Sequence, residues 1–141
     1  MEYRRFGDHL VCRLDRGEEV LSALHEIAEK EQITFGEVKA LGASDDVTVG
    51  VYNVSEQKYY KNHFTFPVEI TQLWGTIHRL GDDFYSHLHI TVANEEGQAF
   101  GGHLNECRIS ATCEMVITLM EGRVSRKKDP VTGLNIFDFE A

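Results

Sequence analysis

Alternation of apolar and polar residues runs through most of this chain, and one stretch departs from it. Residues 3–14 alternate on both sides of Gly7-Asp8 and predict one or two strands. Residues 18–31 change period. Val20, Leu24, Ile27 and Ala28 recur at i, i+4, i+7 and i+8, the stripe of an amphipathic helix. Asp15 is placed as its N-cap, and Glu18 and Glu19 favour the positive end of the helix dipole. Residues 36–41 read as a short strand ended by Gly42. From there nearly everything is strand: 47–51 around alternating valines, the aromatic stretch 59–66, and 68–77 with Gly75 as a bulge.

Residues 85–93 form the next strand, and residues 94–97 (Asn-Glu-Glu-Gly) have hairpin-turn composition. Residues 98–101 then return antiparallel. Residues 109–120 alternate so that both faces lean apolar, which predicts a central or interface strand. A turn at 129–133 leads to a tail in which Phe137 and Phe139 share a face and dock on the sheet or a neighbouring subunit. With no repeat or linker, the pattern predicts a single α+β domain over residues 1–141. Its sheet is mostly antiparallel and strongly curved, covered by one or two helices.

The chemistry concentrates on one strand. Side chains alternate faces along a strand, so His87 and His89 share a face while Leu88 and Ile90 take the other. The returning strand carries Gly101-Gly102-His103 back toward them. Three imidazoles on one face form a candidate metal site with a fourth position open; zinc is the default, and nickel, iron and copper also accept imidazole. The bland alternative is three hydrogen-bonded histidines on a polar sheet face. Gly101 and Gly102 aim His103 through close chain approach.

Charge and cysteines narrow the class. Fourteen basic against 23 acidic residues give a net charge of −9, which disfavours unaided contact with DNA phosphates. Arg123, Arg126, Lys127 and Lys128 form the one basic cluster, read as a solvated turn. Cys12, Cys107 and Cys113 have no CxxC spacing and read as small buried hydrophobes. No apolar run approaches membrane-spanning length and the start has no signal-peptide core, so the expectation is a soluble cytoplasmic protein.

Taken in order, Gly75-Thr76-Ile77, His87-Leu88-His89, Gly97, Gly101-Gly102-His103-Leu104 and Thr112-Cys113-Glu114-Met115-Val116 resemble the plants-and-prokaryotes-conserved (PPC) domain. The opening fits as well, with Arg13 on a strand and Gly17-Glu18-Glu19 at a helix head. The resemblance implies an antiparallel α+β fold assembled as a homotrimer, and in some prokaryotic relatives a metal on histidines matched here by His87, His89 and His103. In plants the domain follows AT-hooks that touch DNA while it mediates assembly and partner contacts. This chain has no Arg-Gly-Arg-Pro hook.

Glu114 is the candidate catalytic carboxylate. It either orients a ligating histidine or accepts a proton from a metal-activated water; the alternative is an ion pair with Arg13 or Arg108 in a seam between subunits. Thr112 shares its face. His78 is a fourth-ligand candidate, and Trp74, Phe64 and Phe66 read as core or trimer contact. Two functions follow. The first is a trimeric zinc-holding assembly module that binds a protein partner or a small-molecule ligand and is linked to DNA-associated regulation through partners. The second is a metal-dependent enzyme acting on a small molecule, with Glu114 as acid–base residue. Direct DNA binding ranks last.

Overall fold

The computed structural model describes residues 1–140. Along the chain it forms β1 (Glu2–Phe6), β2 (His9–Asp15), α1 (Val20–Lys30), β3 (Phe35–Asn53), β4 (Lys58–Phe64), β5 (Val68–Leu80), β6 (Asp83–Ala93), β7 (Ala99–Leu119), β8 (Ser125–Lys128) and β9 (Asn135–Asp138). Seven strands make one antiparallel sheet in the order β1-β2-β7-β6-β5-β3-β4. β7 also pairs with β3, so β3, β5, β6 and β7 close into a ring. The expected curvature of the sheet is this closure. β8 and β9 form a separate hairpin.

The alternation read from the sequence sorts residues between interior and solvent. Leu10, Cys12 and Leu14 of β2, Leu88, Ile90 and Val92 of β6, and Cys113, Met115 and Ile117 of β7 are at most 2% exposed. They meet Val20, Leu24, Ile27 and Ala28 of the helix in one core, and all three cysteines are free and buried there. Burial pushes the thiols up, Cys12 and Cys107 to about 11 and Cys113 to about 12, so none offers a thiolate near neutral pH.

Three local expectations are corrected. Glu19, not Asp15, caps the helix: its backbone is extended and its carboxylate accepts from the N–H groups of Leu21 at 3.0 Å and Ser22 at 2.8 Å. Asp15 still belongs to β2, too far back to reach the first turn, and it accepts from the Met1 amine and the Arg13 guanidinium instead. Gly42 does not end a strand. β3 runs through it with a register shift between Ala40 and Gly42, and β7 packs so close that a Cβ there would stand 2.4 Å from the Thr112 carbonyl oxygen. The segments expected at 98–101 and 109–120 belong to one 21-residue strand, β7, which begins at Ala99 and ends at Leu119.

Candidate metal centre

Three strands build the site. β6 lies between β5 and β7, with Thr76 opposite His87, Trp74 opposite His89, and His89 opposite His103. Glycines let the backbones close in. A Cβ on Gly75 would sit 2.0 Å from the His87 carbonyl oxygen, so Gly75 serves close strand approach, and the bulge expected there falls instead between Ile70 and Gln72. Gly101 and Gly102 act in the same way against the carbonyl oxygens of Ile90 and Gly50. Gly50 is opposite His103, and the Tyr59 ring lies over its bare Cα. Tyr59 meets the His103 ring edge-on at 6.2 Å and donates to Asn105 Oδ1 at 2.9 Å.

The three imidazoles converge as the alternation predicts. Ring centroids are 5.3 Å apart for His87–His89 and His87–His103, and 5.6 Å for His89–His103. One ligand atom from each lies within 4.8 Å of the others. His87 and His89 reach solvent and His103 is half-buried. Desolvation pushes His87 down to about 4, with Arg126 and the other two imidazoles acting in the same direction; desolvation and His89 also lower His103. Both rings are therefore neutral at pH 7 and have lone pairs to give. No carboxylate or thiolate joins this cluster among the described residues. The donor set fits a borderline divalent cation held by three nitrogens with a position to spare.

The residue that sequence reasoning missed is Arg126. Its cluster was read as a solvated turn, but residues 125–128 form β8, and Arg126 pairs with Phe137 across the hairpin. The guanidinium lies between the rings of Tyr85 at 4.7 Å and Phe137 at 4.5 Å. Its Nε donates to His78 Nε2 at 3.2 Å, its Nη1 to the Asn135 carbonyl at 2.7 Å, and its Nη2 stands 3.5 Å from His87 Nδ1. A signal was present: the turn expected at 129–133 folds the 135–139 tail back along residues 125–128, and the observed register sets Arg126 opposite Phe137. Phe137 docks as expected, meeting Phe35 and His78, whereas Phe139 is 84% exposed.

His78 is not a fourth ligand. It is 1% exposed, lies at a tilt against the Tyr85 ring at 5.0 Å, and accepts the Arg126 hydrogen bond. Desolvation, aided by Arg126 and His87, holds it down to about 4. It is thus neutral, with the proton on Nδ1, and that atom has no partner.

Glu114 does not stand beside the histidines of its own chain. It is eleven residues beyond His103 on the same strand, up to about 36 Å of extended backbone. There it lines an open groove of about 820 Å³ with Arg13, Leu41 and Val116, a groove in which none of the three histidines takes part. Arg13 is its register partner but forms ion pairs with Asp15 and Glu2, and Arg108 donates to the Gly17 carbonyl. Thr112 donates to the Leu14 carbonyl at 3.4 Å. Trp74 is 49% exposed and donates to Glu37 at 2.7 Å, while Phe64 and Phe66 pack with Phe100.

Comparison with known proteins now bears on this geometry. Bifunctional GlmU proteins of two Synechococcus strains are 32% identical over 124 residues, 86% of this chain. The chain spans about a fifth of their length, 19% of one and 18% of the other. A solved structure described as a "putative dna binding protein" from Bacteroides thetaiotaomicron superposes with a TM-score of 0.95 at 30% identity, covering 99% of this chain and 98% of that one. A metal-containing protein from Archaeoglobus fulgidus superposes at 0.85 with 26% identity, covering 96% of each chain. The model of the Plants and Prokaryotes Conserved (PCC) domain matches residues 1–121, and the chain belongs to that family, the PPC domain of the sequence comparison.

Proposed function

We propose that this protein is a metal-holding assembly module: a homotrimer in which each copy carries one zinc on His87, His89 and His103 and keeps a position open for a small-molecule ligand. The observation that carries the reading is the convergence of three ligand atoms within 4.8 Å. The metal-containing Archaeoglobus relative supports it. A bound zinc supplies Lewis acidity at its open position. The chain's own residues do the holding: Gly75, Gly101 and Gly102 set the strands close, and Tyr59 supports His103.

Assembly is supported by the far end of β7. Val11, Leu41 and Val116 are 46%, 56% and 38% exposed around the groove that holds Glu114, an apolar face suited to cover by another copy. The family resemblance supports three copies. Free buried cysteines accord with a reducing, cytoplasmic setting. The DNA-binding description of the Bacteroides relative comes to this chain as association through a partner, since a net charge of −9 opposes direct contact. The enzymatic alternative keeps Glu114 as acid–base residue. Because Glu114 lies away from its own histidines, that reading requires delivery across a subunit contact.

Elemental analysis of untagged protein, beside a His87→Ala/His89→Ala double variant, tests the proposal. Near-stoichiometric zinc in the parent and none in the variant, with both running at the mass of a trimer, is the expected result. A parent that takes up no zinc overturns the metal reading, and a parent that runs as a monomer overturns the assembly.

A further inference from the structure

We infer that Arg126 is the anion-recognising residue of this site and that the ligand it admits is a small carboxylate. The inference rests on the metal reading of the three histidines. Its first support is an uncompensated charge. Arg126 is half-buried between two aromatic rings, and no acidic side chain pairs with it among the described residues. Its two engaged nitrogens meet neutral acceptors, the His78 ring and the Asn135 carbonyl. A cation withdrawn from water in this way favours an anion beside it.

The second support is the direction of the one nitrogen left over. Nη2 points at His87 Nδ1, 3.5 Å away. That contact cannot persist once His87 ligates a metal. If Nδ1 is the ligand, its lone pair is taken. If Nε2 is the ligand, Nδ1 carries the proton and becomes a donor facing a donor. In either case Nη2 loses its acceptor and is left beside a second positive centre. An anion reaching from Nη2 to the open metal position relieves both. A carboxylate has two oxygens for two such partners. Phosphate, with three or four oxygens to satisfy, finds one free guanidinium nitrogen.

The third support is placement. The ligating histidines lie within the residues matched by the family model, 1–121, whereas β8 and β9 lie beyond it. The hairpin thus adds to the site a charge that the histidine cluster does not contain.

Calorimetric titration of acetate, benzoate and inorganic phosphate into zinc-loaded protein tests the inference, with zinc content measured in every sample. The parent is expected to bind the carboxylates more tightly than phosphate. Arg126→Met weakens carboxylate binding by about tenfold or more and Arg126→Lys by less, both with zinc unchanged. Equal carboxylate affinity in parent and Arg126→Met overturns the inference, as does the absence of carboxylate binding to the zinc-loaded parent. Tighter, Arg126-dependent binding of phosphate overturns the carboxylate assignment. Loss of zinc from Arg126→Met also counts against it, because a residue that recognises only the anion leaves the metal in place. Failure of the metal reading shows separately, as a parent without zinc before any anion is added.

Discussion

The two ends of β7 differ in almost every property except their strand. At its start, His103 sits between β6 and β3 beside the Tyr59, His87 and His89 rings, with the Arg126 guanidinium reaching His87. Toward its end, Glu114 lies in an open apolar groove flanked by β2 and β3. Both ends use the same alternation, inward residues filling the core and outward ones carrying the properties that differ. One outward face gathers donors for a cation. The other leaves Leu41 and Val116 to solvent. A single strand thus separates a histidine cluster from an exposed apolar groove, and a substitution at one end need not disturb the other.

The sharpest way to break this division is at Gly75. A methyl group there would meet the His87 carbonyl oxygen at 2.0 Å and the Leu88 Cα at 2.8 Å, backbone that cannot move without shifting β6. Gly75→Ala is expected to cost about 2–4 kcal/mol and to abolish zinc uptake, read by denaturant unfolding and metal analysis. Zinc uptake at parental level would show that the histidines tolerate a displaced strand.

Between about pH 6.5 and 4, acid should act chiefly at the histidine end. His78 has a folded-state value of about 4 against an ordinary 6.5, so the unfolded chain binds more protons between those values. Stability is therefore fully present above about pH 6.5 and lost as pH falls toward 4, by on the order of 2–3 kcal/mol in metal-free protein. Urea midpoints of the parent and of His78→Phe across that range check this, with the variant expected to show the shallower dependence. A parallel loss in both would locate the acid sensitivity elsewhere.

The smallest effect belongs to Glu114. Glu114→Gln is expected to leave zinc content and affinity unchanged, because no histidine of the same chain shares its groove. A weakened zinc site in this variant, measured by competition with a chelator, would show that a neighbouring copy brings Glu114 to the histidines.

Much of this was legible from residue order. A half-buried strand must alternate, so the shared face of His87 and His89 could be read directly, and the Asn-Glu-Glu-Gly turn returned His103 to them. The separation of Glu114 from the histidines of its own chain was not legible for a specific reason. Residues 102–108 were not read as strand, which left the chain free to fold back, whereas β7 continues through them, with register shifts against β3. The roles of Gly42 and Gly75 depend on which carbonyl lies across the sheet, and no local pattern encodes that. Arg126 was hidden similarly: its meaning comes from Tyr85 and His87, about forty residues earlier, and from Phe137 across a hairpin.

The central position of β7 also sets the order in which the molecule can be made. β2 pairs with it from His9 opposite Thr118 to Asp15 opposite Thr112, across about a hundred residues of chain. Until residues 99–119 have left the ribosome, β2 and the β7-facing side of β3 present unpaired edges, and such distant pairings fold slowly, in milliseconds to seconds for sheets of this kind. The nascent chain therefore passes through an interval in which its first half is prone to pair with other chains, and a strand made late in synthesis brings that exposure to an end.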